Sequence, residues 1–189
     1  MTKFKIKSVK KNNSHPAIKI ALRKYILKYF KYASVLDVYG GNGLMFKLVW
    51  ENMTKEYEST NGDSILWLQK KSELNHDIFD IDPYASPYEA MCLIGEKATK
   101  NKIGIVCTDG LLRRAGMMRT KIPKILQDKC KWPERDLKLL AAIYHQYPSY
   151  LKFAIKSIMP GWRIKQLAVK YGRGTWRQAT CYYATVLKR

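Results

Sequence analysis

The sequence lacks the features of a membrane-spanning or exported chain. No apolar run approaches the roughly 20 residues that a membrane helix needs. The opening segment MTKFKIKSVKKNNS is basic and polar, without the apolar core of a signal peptide. We therefore expect a cytoplasmic protein that does not enter a membrane, with residues 1–14 forming a flexible basic arm.

Cysteine and histidine are few and scattered. The four cysteines form no Cys-x-x-Cys pair, and the three histidines show neither metal-ligand nor catalytic-triad spacing. Cys92 and Cys107 lie in apolar runs, where a thiol behaves as a small core residue. The pattern predicts a reduced, intracellular protein with no disulfide framework and no metal.

Acidic residues are scarce relative to basic ones. The chain of 189 residues has 15 Asp and Glu against 35 Lys and Arg, which gives a net charge of +20. Solubility needs a net charge of only about 2–8, so the excess indicates attraction to a polyanion and predicts a nucleic-acid partner. The alternative is a lysine-rich composition with a solvated surface.

Apolar periodicity predicts strands that alternate with helices. Strands are predicted at 35–39, 78–82 and 102–108, and near the end of the chain in RIKQLAVKY and ATCYYATVLKR. Helices are predicted at about 16–29, 44–50, 64–70, 86–98, 134–147 and 149–158, whereas 51–60 is ambiguous and 111–135 is irregular. This order favours a mostly parallel sheet with an antiparallel hairpin at its edge. We expect residues 15–189 to form a single α/β domain.

The first predicted helix carries several basic residues beside its apolar stripe. These are Lys19, Arg23, Lys24, Lys28 and Lys31. They either contact phosphate or form the solvated face of an amphipathic helix, and the sequence leaves both interpretations open.

Glycines follow the first predicted strand. The segment VLDVYGGNG places Asp37 inside the strand and Gly40, Gly41 and Gly43 in the turn that leads to a helix. Glycine permits positive φ and a close approach of the backbone to a ligand. The spacing matches neither a Walker loop nor a dinucleotide fingerprint, and a tight turn without a ligand is the alternative.

The strand IFDID carries Asp82 to its carboxyl end, where open α/β sheets bind ligands. Pro83 has no N–H, so the polar groups there are acceptors. An exocyclic base amine is a weak nucleophile that such acceptors can orient and deprotonate. We predict this role for Asp82 and Pro83, with Tyr84 stacking on a flipped base. An Asp-Pro turn with a rim tyrosine is the alternative.

VLDVYGGNG resembles the first motif of Rossmann-like, class I S-adenosylmethionine (AdoMet)-dependent methyltransferases. The resemblance implies that Asp37, Tyr39 and the three glycines line the cofactor, although many members have glycine in place of Tyr39. It also implies that Asp63, in Asn61-Gly62-Asp63, accepts a hydrogen bond from the adenine amine. The family places a ribose-binding acid after its second strand, and the short stretch before Asp63 offers three candidates: Glu51, Glu56 and Glu58.

FDIDPYASP followed by IGIVCTDG resembles the tRNA (guanine-N2) dimethyltransferases over about residues 35–116. The matching positions are Asp82, Pro83, Tyr84, Ser86, Pro87, Thr108 and Asp109, and Ala85 departs from a family glycine. Members of that family carry a separate carboxyl-terminal domain, and we expect none within these 189 residues.

These resemblances imply a Rossmann-like mixed sheet with helices on both faces and AdoMet as cofactor. They also imply methyl transfer to an exocyclic amine of a nucleic-acid base, with guanine N2 of RNA as the leading target. The alternatives are adenine N6 of DNA, a non-catalytic nucleic-acid-binding protein with this fold, and a small-molecule methyltransferase.

Basic residues after the Thr-Asp strand would overhang this site. We predict that Arg113, Arg114, Arg119 and Lys121 contact phosphates. The turn GRGTWRQ adds Arg173, Trp176 and Arg177, which combine charge with a stacking surface. A solvated loop with Trp176 packed on the sheet is the alternative.

Overall fold

A computed structural model describes residues 15–41, 43–60, 62–83, 86–110, 123–131, 146–172 and 180–189. The basic arm and most of the helix expected at 134–147 lie outside the described residues. The same holds for the following predicted site residues: Tyr84, Arg113, Arg114, Arg119, Lys121, Arg173, Trp176 and Arg177.

Helices and strands alternate through most of the described chain. The helices are α1 (Pro16–Leu27), a π-helical turn (Phe46–Trp50), α2 (Ser64–Lys70), α3 (Tyr88–Lys97), α4 (Lys124–Cys130) and α5 (Tyr147–Ile158). The strands are β1 (Ala33–Asp37), β2 (Thr54–Ser59), β3 (Ile78–Ile81), β4 (Lys102–Asp109), β5 (Arg163–Tyr171) and β6 (Cys181–Lys188).

The six strands form one mixed sheet in the order β2-β1-β3-β4-β6-β5. Strands β1 to β4 pair in parallel, whereas β6 runs antiparallel to both β4 and β5. One core lies between the sheet and helices α2 to α5, and α1 and the π-helical turn cover the other face. The predicted fold class is confirmed, with helices on both faces and the antiparallel pair at one edge.

The ambiguous segment 51–60 contains strand β2. This strand lies at the edge of the sheet, so most of its side chains reach solvent and no apolar alternation marks it in the sequence. Tyr57 is the inward exception, and its ring centroid lies 4.5 Å from that of Phe46. The second strand, β2, is therefore present. The short part of the region before Asp63 is the connection between β1 and β2.

Helix α4 lies inside the stretch 111–135, which was expected to be irregular. Leu126 and Cys130, one helical turn apart, are buried, and α4 packs beside α5. The basic composition of this stretch hides its short apolar stripe. The expectation of an irregular conformation was wrong at residues 124–130.

Helix α1 lies close against β4 because of Gly104. A Cβ at this position would lie 2.8 Å from Cγ1 of Ile26 and 2.9 Å from Cε2 of Phe30, closer than packed atoms approach. The interpretation of the basic residues of α1 as a solvated face does not hold for two of them. Lys19 and Arg23 are buried at 5% and 2% exposure, on the side of the helix that faces the sheet.

The longest described helices, α1 and α5, have 12 residues each. Over the described ranges, no helix combines the length and the apolar character that crossing a membrane requires.

Candidate functional site

The register of β1 with β3 places the glycine turn beside Asp82. Asp37 lies opposite Asp80, and the Val38 N–H donates to the carbonyl of Asp80 at 2.9 Å. Since parallel strands advance together, the turn after β1 is level with the residues that follow β3. The structure thus brings together the two segments that the sequence singled out.

The glycine turn is packed on one side and open on another. Gly41 and Gly43 have φ of 54° and 71°, and the Gly43 N–H donates to the carbonyl of Gly40 at 2.9 Å. A Cβ at Gly40 would lie 2.1 Å from Oγ of Ser59, so the turn lies directly against the end of β2. A Cβ at Gly43 would meet no described atom within 4 Å. The turn therefore requires glycine and leaves space above its far end.

Asp82 forms an ion pair with Lys19 from α1. Lys19 Nζ donates to Oδ2 of Asp82 at 2.6 Å, and the two side chains are 5% and 21% exposed. The other oxygen, Oδ1, accepts from no donor among the described residues. Asp82 therefore reaches the surface with one oxygen paired and the other available as an acceptor.

A buried polar network lies directly behind Asp82. Arg23 donates to both oxygens of Asp80, from Nε at 2.7 Å and from Nη2 at 2.6 Å, and Trp50 Nε1 donates to Oδ2 at 2.9 Å. Burial by itself would lower the pKa of Arg23, but the charges of Asp80 and Asp82 raise it above its ordinary value. The bidentate contact between Arg23 and Asp80 fixes α1 relative to the end of β3.

Lys19 and Arg23 were not expected at the site, although the sequence holds a signal for them. With Leu22 and Ile26 they follow the spacing of three and four residues that defines one helix face. Two cations on an apolar stripe predict buried carboxylate partners, because an unpaired buried charge is costly.

Asp37 is 3% exposed and contacts the start of the turn. It accepts from the Tyr57 hydroxyl at 2.8 Å and from the Tyr39 N–H at 3.2 Å. Burial, together with the charge of Asp80, raises the pKa of Asp37 from 3.8 to about 7. Near neutral pH this carboxyl group therefore exchanges between its two protonation states.

Asp63 caps helix α2. Its Oδ1 accepts from the N–H groups of Ile65 and Leu66, each at 3.0 Å, and its side chain is exposed beyond the end of β2. The cap uses only Oδ1.

The three candidate ribose-binding glutamates lie before and along β2. Glu51 precedes the strand, Glu56 pairs with Ser34 near the start of β1, and Glu58 is the penultimate residue of the strand. Glu58 accepts from His76 at 3.1 Å and is 3.7 Å from Lys71. The strand ends at Ser59, so Glu58 is the candidate nearest to its carboxyl end.

Asp109 closes the adjacent strand β4 and is fully buried. Its Oδ2 accepts from the hydroxyls of Tyr88 and Tyr147, which belong to α3 and α5. Asp109 therefore joins β4 to α3 and α5. Among the described His, Cys, Asp and Glu side chains, no group of three is placed to hold a metal ion.

Solved structures that share this fold include proteins described as methyltransferases. The chain is similar to the "putative methyltransferase yhhF" from Escherichia coli, with TM-score 0.53, 9% identity, and coverage of 92% of this chain and 87% of that one. It is also similar to TYW2 from M. jannaschii, solved in complex with AdoMet, with TM-score 0.51, 12% identity, and coverage of 91% and 76%.

A third similar structure carries a different name. The "putative hemolysin" from Lactococcus lactis has TM-score 0.55 and 13% identity, and the match covers 94% of this chain and 89% of that one. No protein-family model and no curated protein sequence matches this chain. At such identities the similarity demonstrates a shared fold only.

Proposed function

We propose that this chain is an AdoMet-dependent methyltransferase that acts on an exocyclic amine of a nucleic-acid base, with guanine N2 of RNA as the leading target. One observation carries the proposal. The register of β1 and β3 sets an open glycine turn beside a carboxylate whose Oδ1 accepts from no described donor.

The residues at the glycine turn fit the methionine end of the cofactor. Gly41 and Gly43 take positive φ, and the space above Gly43 is open. Asp37 and Tyr39 shape the start of the turn through their mutual hydrogen bond. Asp63 Oδ2 is available for the adenine amine because the helix cap uses Oδ1. When bound, AdoMet supplies a methyl group on a positively charged sulfur.

Asp82 would orient the base amine. Its Oδ1 accepts one N–H bond, and the backbone carbonyls beside Pro83 accept the other, so that the nitrogen lone pair points away from the protein acceptors. Lys19 holds Oδ2 and thereby fixes the carboxylate in one rotamer. A bound AdoMet would give its methyl carbon from sulfur to this nitrogen and leave as S-adenosylhomocysteine, and Asp82 would take the proton that the nitrogen loses.

The nucleic-acid partner is supported by the net charge of +20. The choice of RNA rests on the resemblance of the Asp-Pro-Tyr segment. Within the proposal, Tyr84 stacks on the base. The phosphate and stacking contacts are assigned to Arg113, Arg114, Arg119, Lys121, Arg173, Trp176 and Arg177.

The Asp82→Asn variant tests the proposed reaction. Asparagine keeps the size of the side chain and an oxygen for Lys19, but it cannot take a proton. We expect transfer of a radiolabelled methyl group to tRNA to fall by about 10²–10⁴-fold, while calorimetry shows unchanged binding of S-adenosylhomocysteine. Unchanged transfer would remove Asp82 from the reaction, and digestion of the product to nucleosides would distinguish guanine N2 from adenine N6.

A second candidate is a nucleic-acid-binding protein that has this fold without methyl transfer. It is favoured by the end of β2, where the nearest candidate for a cofactor ribose, Glu58, is paired with His76 and Lys71. Absence of both heat and a thermal shift on addition of S-adenosylhomocysteine would support this candidate over the enzyme.

A further inference from the structure

A basic groove runs between helix α1 and edge strand β5, away from the glycine turn. Its volume is about 290 Å³. The floor is formed by apolar and aromatic side chains and the rim by lysines; the lining residues are Ala21, Leu22, Lys24, Tyr25, Lys28, Ala168 and Lys170. The three lysines are exposed, and the described residues that line the groove include no carboxylate.

The net charge of the chain is concentrated in two segments, and these two segments contain the elements that form the groove. All 15 acidic residues lie between Asp37 and Asp136, where they are balanced by an equal number of Lys and Arg. The entire net charge of +20 therefore belongs to residues 1–36 and 137–189. Helix α1 comes from the first of these segments and β5 from the second, and they meet because α1 packs on β6 beside β5.

One end of the groove lies on the side of the sheet where the parallel strands have their carboxyl ends, which is also where the candidate site lies. Lys170 pairs across the sheet with Tyr182, which pairs in turn with Thr108 near the carboxyl end of β4. Helix α1 contacts Asp82 through Lys19 in its first turns and reaches the opposite edge after its last turn, where Lys102 donates to the carbonyl of Tyr29 at 2.7 Å. A strand bound along α1 would therefore extend away from Asp82.

We propose that this groove, formed by α1 and β5, holds the phosphate backbone of a single-stranded RNA segment adjoining the target nucleotide. A volume of about 290 Å³ is of the size of a single nucleotide. Lysine ammonium groups pair with phosphates, and the ring of Tyr25 on the floor offers a surface for base stacking. The inference rests on the proposed function in naming RNA as the polyanion and the target nucleotide as its neighbour.

Two charge-matched triple variants test the groove. One is Lys24→Gln/Lys28→Gln/Lys170→Gln. The control is Lys129→Gln/Lys152→Gln/Lys156→Gln, which removes the same charge from exposed positions of α4 and α5 on the opposite face of the sheet. The probe is fluorescein-labelled oligouridine, and binding is measured by fluorescence anisotropy over a series of KCl concentrations.

Each phosphate contact to a single strand contributes about 0.7 to the slope of log K against log salt. We expect the groove variant to lower the magnitude of this slope by about 2. The control variant should lower it by less than about 0.7, the contribution of one contact. Equal slopes for the two variants, a groove variant identical to the parent protein, or absent binding by the parent would each overturn the proposal.

Calorimetry with S-adenosylhomocysteine on the same preparations separates this proposal from the proposed function. A groove-specific change of slope without cofactor binding would retain the groove and reject the methyltransferase. Cofactor binding with equal slopes would do the reverse.

Discussion

Three carboxylates, Asp37, Asp80 and Asp82, lie within one small region at the end of the sheet. They differ in their burial and in their bonding partners. Asp80 is fully buried and paired with Arg23. Asp82 is partly exposed and paired with Lys19. Asp37 has a hydroxyl and a backbone N–H as partners and no cation within ion-pair distance among the described residues, so burial raises its pKa to about 7.

The raised pKa of Asp37 predicts a pH dependence of stability. The folded state holds this proton up to about pH 7, whereas the unfolded chain releases it near pH 3.8. The free energy of unfolding should therefore fall as the pH rises from about 4 to about 7, by roughly 4 kcal/mol at most, since each pKa unit corresponds to 1.36 kcal/mol.

Asp37→Asn keeps the uncharged form at every pH and should remove most of this decline. Urea unfolding of both proteins at pH 5 and pH 8 measures the difference. The same decline in both proteins would assign the pH dependence to other groups.

Single elements of this fold depend on particular contacts at their ends. Helix α2 has only seven residues, too few to be stable alone, and its first turn depends on the cap from Asp63. Helix α1 depends on Gly104 for close packing and on the ion pairs of Lys19 and Arg23. In both helices, a contact that stabilises the helix therefore involves a residue of the candidate site.

Two substitutions at Asp63 separate its cap from its proposed contact with the cofactor. Asp63→Ala should lower the free energy of unfolding by about 1 kcal/mol, because the first turn of α2 loses its cap. Asp63→Ser restores a cap but is too short to reach an adenine amine.

We expect both variants to bind S-adenosylhomocysteine more weakly in calorimetry, and only the alanine variant to lose stability in urea. If the serine variant binds the cofactor as the parent protein does, Asp63 is a cap and nothing more.

The molecule as a whole carries a large charge of one sign in segments that fold against each other. Strands β5 and β6 and helix α1 contain no acidic residue, so their lysines and arginines repel one another with few local counter-charges. A high net charge destabilises a compact state by self-repulsion, and added salt screens this repulsion.

The melting temperature should therefore rise as KCl is increased from about 0.01 M to 0.5 M, where the Debye length falls from about 30 Å to a few ångströms. Differential scanning fluorimetry measures the shift. Sucrose at matched osmolality controls for solvent effects unrelated to charge, and a melting temperature that stays constant or falls with KCl would contradict the expectation.

Much of the architecture was predictable because its signals are local. Apolar runs marked the buried strands β1, β3, β4 and β6, and the helical spacing of Ile18, Leu22 and Ile26 marked α1. Strand β2 and helix α4 were missed, since an exposed edge strand and a short basic helix show little of either period.

The sequence by itself determined which segments carry glycine and carboxylate at the ends of buried strands, because residue type and local periodicity suffice for that. Only the tertiary structure decided that Lys19 meets Asp82, that Arg23 meets Asp80, and that the lysines of α1 and β5 share one groove. These pairings join residues far apart in the chain. They depend on the order and register of strands and on the close approach of α1 to Gly104, and no local pattern encodes either.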